Sequence, residues 1–522
     1  MSKNKSFPFF QVFSWLLFFV CLIISLVFLR ENLNLDLNSD DASEMILGKL
    51  LADEGIIITK NWYYNTELRI IHTNIVYAFF FKIFHSWHHV RLFSIAFMYF
   101  LLLVSYYWMC SVYKIKKYFA LSATVLILPF SYDYYEYVLH VGCYLPYLHY
   151  TLLILTFSEL FLAVSGKKQY FILLISFLFS IVLGLAGGRE LVFLFGPILI
   201  ASIYLILVRN RLSDAKKYLI YAFIIFLGSI IGIIINSTVL AANYHFMQWN
   251  TINFTEFSVT QFVSVISSLL YLFGYEKGPL SVSSVFHNFI CMSWLILTLC
   301  SIIYSFKNNQ SVNPGFVRLS TVYTAMYAIF LVFCCFTDFP LLNRYMISII
   351  ILSFPCIALY FDHVHWNEIL KKAIYFGVVL LTVVSGMLYY GKMWNFDSKD
   401  ELRSISKDLV DKGYNNGYAT YWNANILTEL SYGKIEAWSI CSNFRDLLEI
   451  TSIDSTYKWN QKVTHDTTHP EGKVFLLFTR YEFWNNNWKN DLPDENIINN
   501  STSYIVYGFD SYEQLTGYIN RN

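Results

Sequence analysis

Long apolar runs alternate with short polar segments over residues 1–391. About 20 helical residues cross the hydrocarbon core of a bilayer, where each backbone amide must find its partner within the helix. About eleven runs reach or approach that length, which predicts an all-α, polytopic membrane bundle. The predicted spans, of which the third is short, begin near Phe10, Val90, Tyr118, Cys143, Gln169, Leu191, Tyr218, Ser284, Arg318, Arg344 and Lys371.

The pattern changes after residue 391, where charged and polar residues interrupt the apolar runs. Residues 392–522 carry 13 Lys/Arg and 18 Asp/Glu, so this tail is expected to be soluble. Helical and strand-like periods alternate within it, which predicts a small α/β domain. The helices are expected at 399–412, 423–431 and 511–519, and the strands at 417–422, 473–479 and 502–508. We therefore expect a transmembrane module over 1–391, with an external loop over 30–89, and a second domain over 392–522.

Lysines and arginines in the short loops indicate the orientation, because such loops are enriched in positive charge on the cytoplasmic side. These loops all fall on one side if residues 30–89 lie wholly outside. The apolar stretch Arg69–Ser86 must then lie along the outer face as an interfacial helix. If it spans instead, the first positive loops lie outside. We expect a multi-pass protein of the cell membrane, with a cytoplasmic N-terminus and an extracytoplasmic C-terminal domain.

The overall composition narrows the possible functions. Net charge is +1, with +6 before residue 392 and −5 after it, so the chain has no basic surface suited to nucleic acid. It has neither a P-loop nor a dinucleotide-binding fingerprint. The richness in Asn, Lys and Ile favours a bacterial plasma membrane, whereas sequons at Asn253 and Asn500 are also compatible with glycosylation in an endoplasmic reticulum.

The first external loop concentrates acidic residues just beyond a membrane span. Asp40, Asp41 and Glu44 lie at the start of a predicted helix that ends at Gly55. A carboxylate at this boundary can take the proton from an acceptor hydroxyl, which is general-base chemistry. Asp41 and Glu44 also match a capping box, in which Asp41 caps the helix and Glu44 reaches back to the cap. Asp40 has no capping duty and is our first choice for the base, ahead of Asp41 and then Asp36.

The same acids raise the question of a bound metal ion. Asp40 with Glu44 supplies a loose set of oxygen ligands suited to magnesium or manganese. No other ligand nearby in the sequence completes such a site. We therefore assign neither a metal nor any other cofactor, and a divalent cation stays an unsupported option.

Several of these features follow one another in a familiar order: Asp40-Asp41, the stretch Arg69–Ser86, and His89-Val-Arg91-Leu-Phe-Ser94-Ile-Ala. This layout resembles the GT-C superfamily of integral-membrane glycosyltransferases, especially the branch with protein O-mannosyltransferases and lipid A aminoarabinose transferases. The resemblance covers residues 10–165 well and the remainder by topology. Two features depart from the family, because its acidic pair is commonly Asp-Glu and its usual Pro-Pro-Leu is replaced by Tyr64-Asn-Thr-Glu-Leu68. The choice between the two aspartates stays open.

The resemblance implies an inverting transferase that uses a sugar carried on a polyprenyl phosphate. Arg344-Tyr345, at the external end of the tenth predicted span, resembles the Arg-Tyr with which the family holds the carrier phosphate. Arg189, in Gly187-Gly188-Arg189-Glu190, is a second candidate, since a guanidinium matches phosphate oxygens and a glycine turn can present amides to an anion. The structural alternatives are that Arg344 only snorkels to the interface and that Arg189 only pairs with Glu190.

Aromatic residues and histidines accumulate in the external loop and helix start between residues 132 and 150. Sugars and prenyl chains pack on aromatic faces, and histidine can bind hydroxyls or share in proton transfer. Tyrosines at a membrane boundary are also ordinary interfacial anchors. The candidates for substrate contact are His140, Tyr144 and His149, together with Glu44 and Lys60 of the first loop.

We therefore predict a glycosyltransferase that moves a sugar from a polyprenyl-phosphate donor to a glycan, lipid or protein acceptor on the external face, in cell-envelope glycan or glycoconjugate synthesis. The alternative is a polar-lipid flippase or transporter without transferase activity. Such proteins mark their path with ionisable residues inside the spans, and these are sparse here. A third possibility is a non-catalytic membrane scaffold that presents the tail domain.

Overall fold

A computed structural model of the chain describes residues 8–65, 70–208, 214–246, 252–279, 281–339, 341–394, 396–440, 457–485 and 491–519. The chain divides into two compact units. The bundle unit comprises Met1–Arg30, Ile95–Ser237 and Asn250–Trp394, and the sheet unit comprises Glu31–Ser94, Thr238–Trp249 and Asn395–Asn522. The loop 30–89, which is expected to belong to the transmembrane module, is grouped with the tail in the sheet unit from Glu31 onward.

Nine helices among the described residues are long and apolar enough to cross a membrane. Each coincides with one of the predicted spans, and this confirms the polytopic all-α bundle. These helices are Phe10–Asn32, Trp87–Val112, Leu145–Ala163, Lys167–Gly184, Ala215–Leu240, Val282–Lys307, Pro314–Cys335, Asn343–His363 and Glu368–Met393.

Two predicted spans are shorter than expected, so eleven is too high a count of full-length helices in the part of the chain that the structure describes. Near Tyr118 the helix Phe119–Leu126 has only 8 residues. It stops ahead of Pro129, because a residue that precedes proline disfavours the helical conformation. Near Leu191 a π-helical turn, Leu191–Phe195, leads into the helix Gly196–Val208, and together they form a shorter apolar helix.

Close backbone contact holds two of the long helices together. A Cβ atom added at Gly184, at the end of Lys167–Gly184, would lie 2.1 Å from the carbonyl oxygen of Ser229 in Ala215–Ile235. Small residues permit such close approach between membrane helices. The remaining helical segments of the bundle unit are Lys116–Tyr118, Tyr132–Tyr134, Tyr135–His140 and Val259–Leu272. The long helices Ala215–Leu240 and Asn343–His363 include the π-helical turn Asn236–Leu240 and the 3-10 turn Asn343–Met346.

The tail forms a five-stranded sheet with helices against it, which confirms the predicted α/β domain. Alternate residues of the central strand enter two different hydrophobic cores, Phe475 and Leu477 in one and Leu476 and Phe478 in the other. The sheet order is Glu436–Ser439, Asn416–Ala419, Val474–Thr479, Tyr504–Phe509 and Ile497–Asn500, with the first three strands parallel and the last two antiparallel to their neighbours. The tail helices are Asp400–Asp411, Tyr421–Leu430, Val463–Asp466, Arg480–Trp484, Asp494–Asn496 and Tyr512–Ile519.

The strands of the tail differ from the sequence prediction in two ways. The strand expected at 417–422 ends at Ala419, and Tyr421 and Trp422 already belong to the next helix. The strands Glu436–Ser439 and Ile497–Asn500 were not predicted. Both lie at sheet edges and have four residues each, which is too short for a clear alternation of apolar and polar positions.

The loop between the first two spans contributes two packed helices to the sheet unit. The first, Ser39–Glu54, is named the acidic helix below, and the second is Thr73–Phe81. They meet at Gly48, where an added Cβ would lie 2.5 Å from the Cβ of Tyr77. With nine residues, Thr73–Phe81 is too short to span a bilayer, in agreement with the interfacial interpretation of this stretch. Arg69 lies outside the described residues.

A small second sheet joins three distant parts of the sequence. Trp62–Tyr64 pairs in parallel with His245–Phe246 and antiparallel with Gln461–Lys462. Lys462 Nζ and His465 Nε2 lie 2.7 and 2.9 Å from Glu436 Oε1. The hydrogen bond with His465, followed by the charge of Lys462, lowers the pKa of Glu436 to about 2. This carboxylate therefore links the small sheet to the edge of the large one.

Candidate active site

The bundle unit brings several predicted donor-site residues into one cluster. Arg344 and Tyr345 lie in the 3-10 turn Asn343–Met346, just before the helix Ile347–His363. Arg189 follows the turn at Gly187, which has a positive φ of 94° and so suits glycine. Tyr144 caps the helix Leu145–Ala163, and Tyr147 lies in its first turn.

The two arginines converge on the same aromatic ring. Arg189 Cζ lies 4.0 Å from the ring centroid of Tyr147, 4.5 Å from that of Tyr144 and 5.5 Å from that of Tyr345. Arg344 Cζ lies 5.9 Å from the same Tyr345 ring. Because guanidinium groups are attracted to the faces of aromatic rings, Tyr345 holds the two cations near each other against their mutual repulsion.

A further tyrosine fixes Arg344 by a hydrogen bond. Nη1 of Arg344 donates to the hydroxyl oxygen of Tyr137 over 2.7 Å, and Cζ lies 4.8 Å from that ring. Burial raises the pKa of Tyr137 despite the opposing charge of Arg344, so the phenol keeps its proton at neutral pH. A guanidinium has five N–H donors. Arg344 is therefore oriented by neutral aromatic groups.

Acidic side chains border this cluster, which we call the arginine cluster (Arg189, Arg344, Tyr137, Tyr144, Tyr147 and Tyr345). Glu190 Oε1 lies 3.9 Å from Arg189 Nε, an ion pair longer than a hydrogen bond. Asn343 Nδ2 donates to Asp133 Oδ2 over 2.9 Å. The N–H of Gly187 donates to the carbonyl of Gly184 over 3.0 Å, so the expectation that this turn presents its amides to an anion is wrong for Gly187.

The two predicted histidines, His140 and His149, have different side-chain contacts. His140 is buried and stacks on Tyr135, with ring centroids 5.5 Å apart. His149 bonds through Nδ1 to the hydroxyl of Ser105. Since His149 comes two residues after Tyr147, it occupies a different face of the helix from the ring that contacts Arg189. Substrate contact by either histidine stays a prediction.

The acidic helix is capped differently from the sequence prediction. Asn38 is its N-cap, with extended backbone, and its side-chain oxygen accepts the amide of Asp41 over 3.0 Å. The carboxylate of Glu44 accepts from the Thr73 hydroxyl over 2.8 Å and lies 3.6 Å from His72 Nδ1. The predicted capping box is therefore wrong, because Asn38 precedes the acids and is as good a cap as aspartate. Gly55 ends the helix as predicted, with a φ of 71°.

The two aspartates have very different surroundings. Asp40 is exposed, and its Oδ1 accepts from the hydroxyl of Tyr421 over 2.5 Å. Burial, followed by the nearby charge of Asp40, raises the pKa of Tyr421, so the phenol remains a donor at neutral pH. Asp41 is buried, and its carbonyl oxygen accepts from Arg91 Nη2 over 3.2 Å. Of the pair, Asp40 is the one whose carboxylate reaches the surface.

Arg91 is buried close to the acidic helix. It lies in the segment His89–Ala96, which resembles the start of a membrane span in the family named above. It donates through Nε and Nη2 to the two carboxylate oxygens of Glu429, over 2.8 and 2.6 Å. Both side chains are buried, and Arg91 Cζ lies 5.7 Å from the ring of Tyr77. Sequence reasoning missed Glu429 and Tyr421. The signal for Glu429 was an acid close to the apolar residues Ile426, Leu427 and Leu430.

Two predictions remain, substrate contact by Lys60 and the unassigned metal ion. Lys60 is exposed, just ahead of the strand Trp62–Tyr64. Over the described ranges, no group of three or more His, Cys, Asp or Glu side chains is arranged to hold a metal ion.

Comparison with solved structures identifies the fold. Two crystal structures of ArnT from Cupriavidus metallidurans, one apo and one bound to undecaprenyl phosphate, each match with a TM-score of 0.58, 10% identity, and coverage of 94% of this chain and 97% of theirs. The Archaeoglobus fulgidus oligosaccharyltransferase, in complex with Zn and sulfate, matches with a TM-score of 0.49, 10% identity, and coverage of 88% and 67%. No family model matches the chain, and a search of curated proteins finds no match. The likeness to ArnT extends over nearly the whole of both chains, so the protein has the fold of ArnT. This agrees with the resemblance to lipid A aminoarabinose transferases noted in the sequence.

Proposed function

We propose that the protein is a glycosyltransferase that moves a sugar from a polyprenyl-phosphate donor to an acceptor on the external face of the membrane, for cell-envelope glycan or glycoconjugate synthesis. The observation that carries this proposal is the convergence of Arg189 and Arg344 on the ring of Tyr345. A structure of ArnT, which has the same fold, is bound to undecaprenyl phosphate. That likeness supports a polyprenyl phosphate as the lipid partner.

The proposed reaction develops negative charge on the departing phosphate. The acceptor oxygen attacks the anomeric carbon, the bond from that carbon to the phosphate oxygen breaks, and the polyprenyl phosphate leaves with the electron pair. Preorganised cations lower the energy of such a transition state. Arg344 is held by Tyr137 and Tyr345, and Arg189 by three tyrosine rings, so both guanidinium groups are oriented before substrate arrives.

Asp40 is the proposed general base that takes the proton of the acceptor hydroxyl. The surroundings of the two aspartates support this choice, because Asp40 is exposed and Asp41 is buried. A base must reach the proton that it removes within hydrogen-bond distance, directly or through one water. The hydroxyl of Tyr421 holds one oxygen of Asp40 and so fixes the direction of the carboxylate.

The test follows the loss of label from a radiolabelled polyprenyl-phosphate hexose, with purified full-length protein in detergent and a membrane extract as the source of acceptors. Asp40→Asn is expected to lower transfer by about a hundredfold or more, the scale of general-base removal. Asp53→Asn is the matched control, since it lies on the same helix and its side chain is exposed. Arg344→Ala is expected to abolish transfer, and Arg344→Lys to restore part of it, because lysine keeps the charge but loses the planar fork.

Other outcomes would redirect the proposal. A loss confined to Asp41→Asn would move the base by one residue. Full transfer in Asp40→Asn and Arg344→Ala alike would contradict the catalytic assignment. No transfer by the wild type, while the labelled lipid crosses a proteoliposome bilayer, would favour the flippase.

A further inference from the structure

A polar cavity of about 440 Å³ opens beside the turn that carries Arg344. One wall is the helix Val259–Leu272, named the serine helix here, and the other is the segment just before Arg344. The residues that line the cavity are Gln261, Ser264, Ser267, Ser268, Tyr271, Leu341 and Asn343.

The serine helix turns its polar side toward the cavity and leaves apolar side chains exposed. Positions 261, 264, 268 and 271 are three or four residues apart, which places them on one stripe of the helix. Val259 and Val263 are 65% and 55% exposed. Val265 and Leu272 of the same helix are fully buried, so its apolar residues lie both inside and outside. The polar stripe brings hydroxyl and amide groups to the cavity, where they can bind a polar ligand.

The residues that line the cavity favour a ligand rich in hydroxyl groups. Hydroxyl and amide groups both donate and accept hydrogen bonds, as sugar hydroxyls do, and the ring of Tyr271 offers an apolar face for C–H groups. Among the described residues that line the cavity, none is charged. A charged sugar would lose hydration without meeting an oppositely charged side chain among these lining residues. The volume lies within the usual range for small-ligand sites, about 300–1,000 Å³.

The position of Asn343 connects the cavity with the proposed phosphate site. Asn343 lines the cavity and directly precedes Arg344, and the Cα atoms of consecutive residues are about 3.8 Å apart. Its side-chain amide is oriented by Asp133, which accepts a hydrogen bond from Nδ2 over 2.9 Å. In a polyprenyl-phosphate donor the sugar is bonded directly to the phosphate. A phosphate at Arg344 therefore places its sugar close to Asn343.

We propose that this cavity binds the sugar of the donor and that the sugar is uncharged. The proposal rests on the proposed function, since it takes Arg344 as the phosphate site. The three serines, Gln261 and Asn343 are assigned to the sugar hydroxyls, and Tyr271 to its apolar face.

The experiment measures the affinity of full-length protein in detergent for three lipids. They are undecaprenyl phosphate without sugar, undecaprenyl-phosphate glucose, and an undecaprenyl phosphate that carries an amino sugar. We expect the glucose lipid to bind at least tenfold more tightly than the bare phosphate lipid, and the amino sugar to bring no such gain. In Ser264→Leu/Ser267→Leu the gain from glucose should disappear, because leucine fills the cavity and removes two hydroxyls, while the bare lipid binds as before.

Val263→Leu is the matched control, since it adds bulk to the exposed side of the same helix. Equal affinity of the wild type for the glucose lipid and the bare lipid would overturn the sugar assignment while leaving the phosphate site intact. So would a preference for the amino sugar or an unchanged glucose gain in the double serine variant. Failure of the wild type to bind any of the three lipids would instead overturn the proposed function and this assignment together.

Discussion

The two candidate regions of the molecule are built in opposite ways. In the arginine cluster of the bundle unit, two cations are oriented chiefly by neutral tyrosine rings. In the sheet unit, the cation near the acidic helix, Arg91, is neutralised by Glu429 through two short hydrogen bonds. Arg344, whose contacts in the cluster are with the neutral Tyr137 and Tyr345, retains attraction for an anionic ligand. Arg189 also lies 3.9 Å from Glu190, and the buried Arg91–Glu429 pair has satisfied its charge internally.

This difference predicts different consequences of mutation. Changes to the buried pair in the sheet unit should act on stability, because a lone buried charge is costly. Changes to the arginine cluster should act on donor binding. Changes at the surface of the acidic helix, around Asp40, should act on turnover.

The largest effect is expected from Glu429→Leu. It leaves the Arg91 guanidinium, which is 1% exposed, without its carboxylate. We expect the free energy of unfolding to fall by about 3–5 kcal/mol, the usual cost of breaking a buried pair. Thermal unfolding of the full-length protein in detergent, followed by tryptophan fluorescence, measures it.

Two further variants sharpen this test. Arg91→Met/Glu429→Leu removes both charges and should recover most of the loss. Asp53→Asn breaks the exposed pair with Lys49 and should cost no more than about 1 kcal/mol. If Glu429→Leu is as stable as the wild type, the pair does not hold the acidic helix and the contrast between the two regions fails.

An intermediate effect is expected from Tyr345→Ala, which removes the ring shared by Arg189 and Arg344. We expect KM for the lipid donor to rise by about tenfold, since contact between a guanidinium and an aromatic ring is worth about 0.5–2 kcal/mol. Tyr345→Phe keeps the ring and should change KM by less than about twofold. A large effect of the phenylalanine variant would show that the hydroxyl, and not the ring, is the important group.

The sequence predicted the parts of the molecule that depend on local pattern. Nine spans follow from the length and apolarity of their segments, and the three longest tail helices and the longer strands from their periodicity. The residue types at Arg189, Arg344 and Tyr345 also identified them as candidates for phosphate binding. Their convergence was not visible, because it depends on how separate helices pack.

The rest depends on partners that are distant in the sequence. Tyr421, the partner of Asp40, is 381 positions away, and Glu429, the partner of Arg91, is 338 positions away. No local period encodes such contacts. The capping prediction failed for a different reason, since Asn38 and Asp41 are chemically similar caps and only the backbone conformation distinguishes them.

The smallest effect is expected from Tyr421→Phe, which removes only the hydroxyl that donates to Asp40. If Tyr421 is a positioning residue for the base, kcat should fall by about three- to tenfold and KM for the donor should not change, because a misdirected base slows proton transfer without affecting lipid binding. The burial that raises the pKa of Tyr421 keeps its phenol protonated through neutral pH, so its ionisation should not alter the effect there. Tyr432→Phe, at an exposed position after the same helix, is the matched control.

In Asp40→Asn/Tyr421→Phe the second substitution should cause no further loss of kcat, since the effects of two residues that act as one unit are not additive. A full additional loss in the double variant, or a change confined to KM, would show that Tyr421 does not act through Asp40.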